Sequence, residues 1–154
     1  MRIWTAAAFA LISASTLSAQ TIPAATDFAT AIPIAGNWSY AATAEGSEAV
    51  FSNASSFPQL WVHCERATRR VSIAKPAAAP APFLNVWTSS LTQSVAASFN
   101  PTTGRLSIEL GAFDPLLDAI TSSRGRVAFS VANQPALVVP PWAETARVIE
   151  DCRA

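Results

Sequence analysis

The chain has 154 residues, of which 51% are hydrophobic and 13% are charged, and its ten basic and ten acidic residues cancel. This length is enough for one domain with a hydrophobic core. The neutral balance argues against nucleic acids and anionic membrane surfaces as partners, because both select proteins with a strong positive charge. We therefore expect no nucleic-acid partner.

Residues 1–19 have the layout of a secretory signal peptide. Arg2 is the positive start, residues 3–12 form a short apolar core, and Leu-Ser-Ala at residues 17–19 is a small-residue cleavage site before Gln20. The apolar core is too short to span a bilayer, and no second long apolar run follows, so we expect no transmembrane segment after cleavage. The sequence predicts a periplasmic or secreted protein that begins at Gln20 or within a residue or two of it.

The mature chain is predicted to start with a flexible N-terminal arm. Residues 20–35 are rich in Ala, Thr and Pro and lack a clear period. A single domain is expected over residues 36–154. It opens with a strand in which Trp38 and Tyr40 alternate with Asn37 and Ser39, followed by a hairpin turn and a return strand at residues 49–52.

The clearest strand pattern follows Pro58. Leu60, Val62 and Cys64 alternate with Trp61 and His63, which places the first three on the inward face. A second strand with Val71 and Ile73 inward is predicted after a turn at residues 67–69. The proline-rich segment at residues 76–82 indicates an extended loop inside the domain.

The second half combines strands with two helices. Strands are predicted at residues 84–89, 94–99, 105–110 and 127–131, and residues 136–139 can pair with the last of these. Asp114 can cap a helix with Pro115 at its first position. Its predicted apolar stripe consists of Phe113, Leu116, Leu117 and Ile120. A final helix is predicted to start at residues 140–141 and to turn Trp142, Thr145, Ile149 and Cys152 inward.

This order of elements predicts the fold class. Strands with one polar face form mainly antiparallel sheets. We expect an α+β fold that is mostly β, an antiparallel sandwich or partly open barrel of about seven to nine strands. Two short helices lie in the C-terminal third.

Cys64 and Cys152 are the two cysteines of the chain. In an oxidising compartment an even pair favours a disulfide. Both are predicted to face inward, so we expect one Cys64–Cys152 bridge with the Cα atoms within about 7 Å. Two buried free thiols are the alternative.

No strong catalytic or metal motif is present. His63 is the only histidine, and no Gly-x-Ser-x-Gly elbow accompanies it, so a surface strand residue is favoured over a hydrolase that uses His63. A metal site needs more ligands than one histidine and two paired cysteines. Asp114 and Asp118 are interpreted as partners of the helix dipole. We predict no enzyme activity, no cofactor and no metal.

Two groups of basic residues stand out in the sequence. The favoured interpretation is solvated turns, and the alternative is a site for an anionic glycan, a lipid headgroup or an acidic partner. The groups are Arg66, Arg69, Arg70 and Lys75 around one hairpin, and Arg124 with Arg126.

Trp61, His63 and Trp87 are the candidate binding surface, because alternation places them on the polar faces of their strands. Tryptophans exposed on a sheet mark binding surfaces. If the two strands are neighbours, these side chains share one surface, with Arg66 or Arg70 at its rim. The alternative is that another layer or the C-terminal helix covers them.

Three further motifs point to a family. They are Leu-Trp-Val-His-Cys at residues 60–64, Arg-Gly-Arg-Val at residues 124–127, and a final helix that ends in Cys152. With a tryptophan strand near the start, the layout resembles the invasion-associated locus B family and small proteins linked to type VI secretion in Gram-negative bacteria. It is also similar to uncharacterised alphaproteobacterial proteins. The resemblance implies export and no catalytic residues.

Gly-Asn-Trp at residues 36–38 also resembles the G-x-W motif of lipocalins. That resemblance implies a carrier of a small apolar ligand, although the helix predicted at Asp114 interrupts the expected barrel. The favoured prediction is an exported, non-catalytic binding or accessory protein of the cell envelope. Its candidate partners are an envelope protein or a glycan.

Overall fold

The computed structural model describes residues 27–154. The predicted signal peptide, its cleavage site and residues 20–26 of the predicted arm lie outside the described residues. The described part forms ten strands and two helices. In chain order they are β1 (Gly36–Ala42), β2 (Gly46–Asn53), β3 (Pro58–Glu65), β4 (Arg70–Pro76), β5 (Phe83–Trp87), β6 (Thr92–Ala96), β7 (Ser98–Asn100), β8 (Arg105–Gly111), α1 (Pro115–Thr121), β9 (Val127–Ser130), β10 (Leu137–Val139) and α2 (Ala143–Arg153).

The strands form two antiparallel sheets. A six-stranded sheet has the order β1-β2-β3-β4-β8-β7, and a four-stranded sheet has the order β10-β9-β5-β6. With the two short helices in the C-terminal third, this arrangement confirms the predicted α+β, mostly β, sandwich-like fold. Neither described helix has the length and hydrophobicity needed to cross a membrane.

The two sheets are joined along both sides. On one side, only Ala97 separates β6 of the smaller sheet from β7 of the larger sheet, and its N–H donates to the Pro82 carbonyl at 2.9 Å. The sequence predicted a single strand over residues 94–99, whereas the structure has two strands there. The chain bends at Ala97, and the alternation of side chains does not indicate a bend at that position. On the other side, the Trp38 indole Nε1 of β1 donates to the Pro140 carbonyl just after β10, at 2.9 Å.

The core lies on the inner face of the six-stranded sheet. Leu60, Val62 and Ile73 of this face are almost fully buried, as predicted. Together with side chains from the four-stranded sheet and both helices, they surround an internal cavity of about 10 Å³. A cavity of this size holds one water molecule at most. The core side chains that line this cavity therefore leave little space between them.

α1 begins as predicted, α2 begins at Ala143 rather than at residues 140–141, and two aromatic side chains do not join the apolar stripes. The Leu116 N–H donates to Asp114 Oδ1 at 2.9 Å, which confirms Asp114 as the N-cap of α1. Phe113 is 65% exposed and Trp142 is 45% exposed, whereas both were expected to face inward. Each precedes the first residue of its helix, so the helical period does not extend to it.

The predicted disulfide is present between Cys64 of β3 and Cys152 of α2, with the Cα atoms 5.4 Å apart. Both cysteines are fully buried. The bridge fixes α2 against the inner face of the six-stranded sheet. This finding confirms the predicted pairing and fits an oxidising compartment.

Residues 27–35, the described part of the predicted arm, lie against the four-stranded sheet. Phe28 packs on Trp87 of β5, with the ring centroids 6.2 Å apart. Arg126 Nη1 donates to the Ala31 carbonyl at 2.7 Å, and the Ile34 N–H donates to the Val138 carbonyl of β10 at 2.9 Å. The segment therefore covers part of the side of this sheet that points away from the core.

Candidate functional site

The candidate site lies on the outer face, which is the side of the six-stranded sheet that points away from the core. Alternation along β2, β3, β4 and β8 places a row of side chains on this face from each strand, and within residues 27–154 no helix or strand packs over them. All are at least partly exposed. They include Glu48, Val50, Trp61, His63, Glu65, Arg70, Ser72, Ala74, Arg105, Ser107 and Glu109.

Trp61 is the largest side chain of the outer face. It lies opposite Val50 of β2 and Ala74 of β4, whose small side chains leave room for the indole. The guanidinium carbon of Arg105 lies 3.5 Å from the indole ring centroid. Such a cation–π contact stabilises an exposed pair by about 0.5–1 kcal/mol. Trp61 and Arg105 therefore form one aromatic and cationic unit at this face.

His63 lies next to Trp61 along β3, between carboxylates. Its Nε2 is 3.5 Å from Glu45 Oε2, and its Nδ1 is 4.0 Å from Glu48 Oε2. The imidazole lines a shallow depression of about 240 Å³ whose walls are mostly charged. The depression is formed by Glu45, His63, Glu65, Arg70, Ser72 and Glu109.

Ser72 is the serine nearest to His63 in the sheet, because the two residues are paired across β3 and β4. No hydrogen bond joins their side chains within the described part of the chain, and both imidazole nitrogens face carboxylates instead. Serine nucleophiles are activated by a hydrogen bond to a base and need oxyanion donors nearby. The local backbone amides are engaged in the strand ladders.

Among residues 27–154, no group of three or more His, Cys, Asp or Glu side chains is placed to hold a metal ion. Asp118, which the sequence linked to the helix dipole, forms an ion pair with Arg153 at 2.7 Å. This pair ties α1 to α2. Asp114 and Asp118 thus have structural contacts in the fold.

The other predicted site residues are distributed over two faces. Arg70 lies at the edge of the His63 depression, where its Nη2 is 3.5 Å from Glu109 Oε2. Arg66 is exposed in the turn after β3. Trp87 lies in β5 of the four-stranded sheet, where it contacts Phe28. The condition for a shared surface, that the strands of Trp61 and Trp87 are neighbours, is not met, because β3 and β5 belong to different sheets.

The predicted basic group around the β3–β4 hairpin also needs correction. Lys75 is 5% exposed and points to the inner face, where its Nζ donates to the Pro76 carbonyl at 2.9 Å. Burial lowers the pKa of its ammonium group below the ordinary value. Lys75 follows Val71 and Ile73 at two-residue spacing, so alternation already contained the signal for its inward position.

A second polar cluster, which is not part of the outer face, joins β1 to α2. Tyr40 Oη donates to Asp151 Oδ2 at 2.7 Å, and the Arg147 guanidinium carbon lies 3.9 Å from the Tyr40 ring centroid. The hydrogen bond from Tyr40 is the main cause that lowers the pKa of Asp151 below its ordinary value of 3.8. The cluster therefore stabilises the helix position most when Asp151 is ionised.

Replacing Tyr40 by Phe should lower the free energy of unfolding at neutral pH by about 0.5–1 kcal/mol, because it removes a hydrogen bond to a partly exposed carboxylate. A depressed carboxyl pKa contributes stability above its unfolded value and loses it as the pH falls through the folded value. Urea denaturation should show the difference between wild type and Tyr40→Phe at neutral pH and a smaller one at about pH 3. A difference that does not change with acidification would contradict this interpretation.

Comparisons of the chain with protein-family models, with curated proteins and with solved structures found no match.

Proposed function

We propose that the protein is an exported, non-catalytic binding protein and that the outer face contacts a protein partner in the cell envelope. The observation that carries this proposal is the Trp61–Arg105 pair on a sheet face that no described helix or strand covers. Tryptophan and arginine are the residue types most enriched among the few side chains that dominate binding energy. A partly exposed pair of this kind is a suitable centre for an interface.

The surroundings of the pair support the same interpretation. Val50 and Ala74 flank Trp61, and the charged depression around His63 lies beside it. Protein interfaces combine an aromatic or apolar centre with a polar rim. Because carboxylates outnumber arginines around the depression, we expect the partner to present basic side chains there.

A protein is favoured over a glycan by the position of Arg105. Its guanidinium lies over the Trp61 ring, whereas stacking by a sugar would need an open ring face. Arginine stacked on an aromatic ring keeps its N–H groups at the edge, where they can donate to a partner. A glycan remains an outcome that the experiment below distinguishes.

Export is supported by the predicted signal peptide and by the Cys64–Cys152 bridge, because structural disulfides persist mainly outside the reducing cytoplasm. A periplasmic or secreted location is proposed on this basis. The lipocalin-like carrier, which would hold its ligand between the sheets, has less support, since the cavity that the core side chains line there is only about 10 Å³. The hydrolase alternative has less support because no hydrogen bond links Ser72 to His63 in the described residues.

The Trp61→Ala variant should lose binding while it keeps the fold. We expect a loss of about 1–3 kcal/mol in binding free energy, the range typical of an interface hot spot. The melting temperature should change little, because Trp61 lies outside the core. The mature wild-type protein is used to capture its partner from the envelope fraction of the exporting cell, and purified partner is then titrated against each variant.

Trp142→Ala is the matched control, because Trp142 is also exposed but precedes α2 rather than lying on the outer face. It should bind like wild type. The proposal fails if Trp61→Ala melts far below wild type or if Trp61→Ala and Arg105→Ala both bind normally. If enzymatic removal of glycans from the envelope fraction abolishes capture, the partner is a glycan rather than a protein.

A further inference from the structure

Lys75 is the only lysine of the chain, since every other basic residue is arginine. It lies near the end of β4 and points to the inner face, as do Val71 and Ile73 before it. Lysine is almost never fully buried unless it is paired. The burial of this lysine is therefore unusual, and the proposed binding role of the outer face does not explain it.

The Lys75 side chain lines a cleft of about 230 Å³ at the end of the sandwich. The cleft lies between the segment before β1, the start of β3, the end of β4 and the chain that enters β10. Its walls are mostly apolar, with Lys75 and Gln59 as the polar side chains. The lining residues are Ile34, Gln59, Lys75, Pro76, Pro135, Ala136 and Leu137.

Lys75 has no anionic partner within residues 27–154. The ion pairs in this part of the chain are formed by His63, Arg70 and Arg153, and none of their carboxylate partners lines the cleft. The one hydrogen-bond acceptor of Lys75 Nζ is the neighbouring Pro76 carbonyl at 2.9 Å, although an ammonium group has three donors. A buried ammonium group without a counterion is costly, and an anion in the cleft would remove that cost.

We propose that this cleft binds a small organic monocarboxylate, with the carboxylate on the Lys75 ammonium group and the apolar body against Ile34, Pro135 and Leu137. A single lysine matches one negative charge, and no arginine lines the cleft to bind a phosphate in bidentate fashion. The apolar walls favour an organic over an inorganic anion. A volume of about 230 Å³ lies below the range of drug-sized ligand sites, so a small acid is the size that the cleft accommodates.

Hexanoate is the test ligand, and hexan-1-ol is its neutral control. Hexanoate should bind to the wild-type protein by calorimetry and raise its melting temperature, while hexan-1-ol at the same concentration should do neither. As the only lysine, Lys75 is also a unique labelling site for reductive methylation. Mass spectrometry should show that hexanoate slows methylation of Lys75 but not of the α-amino group in the same sample.

Two variants separate the binding role from folding. Lys75→Met replaces the ammonium group by an apolar side chain of similar length, so it should melt above wild type and bind hexanoate at least about tenfold more weakly. Ile34→Asp places a carboxylate in the cleft and should also weaken binding, whereas Ile32→Asp, at a side chain that is 88% exposed in the same segment, should not. The inference is overturned if Lys75→Met binds like wild type, if hexan-1-ol binds as well as hexanoate, or if hexanoate leaves Lys75 methylation unchanged.

Discussion

Replacing both Cys64 and Cys152 by alanine should lower the free energy of unfolding by about 4–5 kcal/mol. The bridge joins residues separated by 88 positions, so it removes a large amount of chain entropy from the unfolded state. Most domains are stable by only about 5–15 kcal/mol, so this loss is a large fraction of the free energy of unfolding. Urea denaturation of wild type and variant, monitored by tryptophan fluorescence, measures the difference.

Wild-type protein kept reduced throughout the titration is the control for the bridge, because it loses the covalent link but keeps both sulfur atoms. It should be destabilised almost as much as the double variant, since the main effect lies in the unfolded chain. If reduction changes the free energy of unfolding by less than about 1 kcal/mol, the bridge is not the main link between α2 and the sheet.

Replacing Phe51 by alanine should lower the free energy of unfolding by about 3–5 kcal/mol, the range measured for large aromatic side chains in cores. Phe51 of β2 is fully buried, and its ring centroid lies 5.5 Å from that of Trp38. The surroundings cannot collapse easily, because the Gly36 backbone also approaches the ring closely. A large residual cavity is therefore expected.

Phe57→Ala is the matched control for Phe51→Ala. Phe57 lies in the following turn and is 65% exposed, so its loss should change the free energy of unfolding by no more than about 0.5 kcal/mol. Chemical denaturation of the two variants in parallel tests the contrast. Equal effects of the two substitutions would show that the inner face of β2 is not the tightly packed core described above.

Local alternation was sufficient to predict much of the fold. The inward set of Leu60, Val62 and Cys64 on β3 came from period-two alternation, and the bridge followed from two inward cysteines in an oxidising compartment. The cap at Asp114 came from its chemistry at a helix start. The strand pattern and the helix cap each depend on residues that are close together in the chain. The disulfide depends on the only two cysteines, which allow one pairing.

Long-range pairing was not available from the sequence. β4 pairs with β8, and Ile73 lies opposite Ile108, although three strands lie between them in the chain. Alternation cannot assign a strand to one sheet or the other, which is why Trp61 and Trp87 were grouped together. The contact of Arg105 with Trp61 depends on the same distant pairing and could not be foreseen.

Lys75 shows a conflict between two local signals. Its spacing from Val71 and Ile73 indicates the inner face, while its charge indicates solvent and groups it with the arginines of the hairpin. The strand geometry prevailed in the structure, because a one-residue shift would turn every apolar side chain of β4 outward. The two-residue period of a strand is therefore a better guide than charge to the side of the sheet on which such a residue lies.

The bend at Ala97 also limits how molecules of this protein can associate. β6 and β7 are the outermost strands of their sheets on that side, and both are short. Short or bent edges are poor templates for intermolecular strand pairing. On the other side, β10 has three residues and already accepts a hydrogen bond from Ile34. Among the outermost strands of the described part, the seven-residue β1 is therefore the longest and the best template for addition of a strand from another molecule.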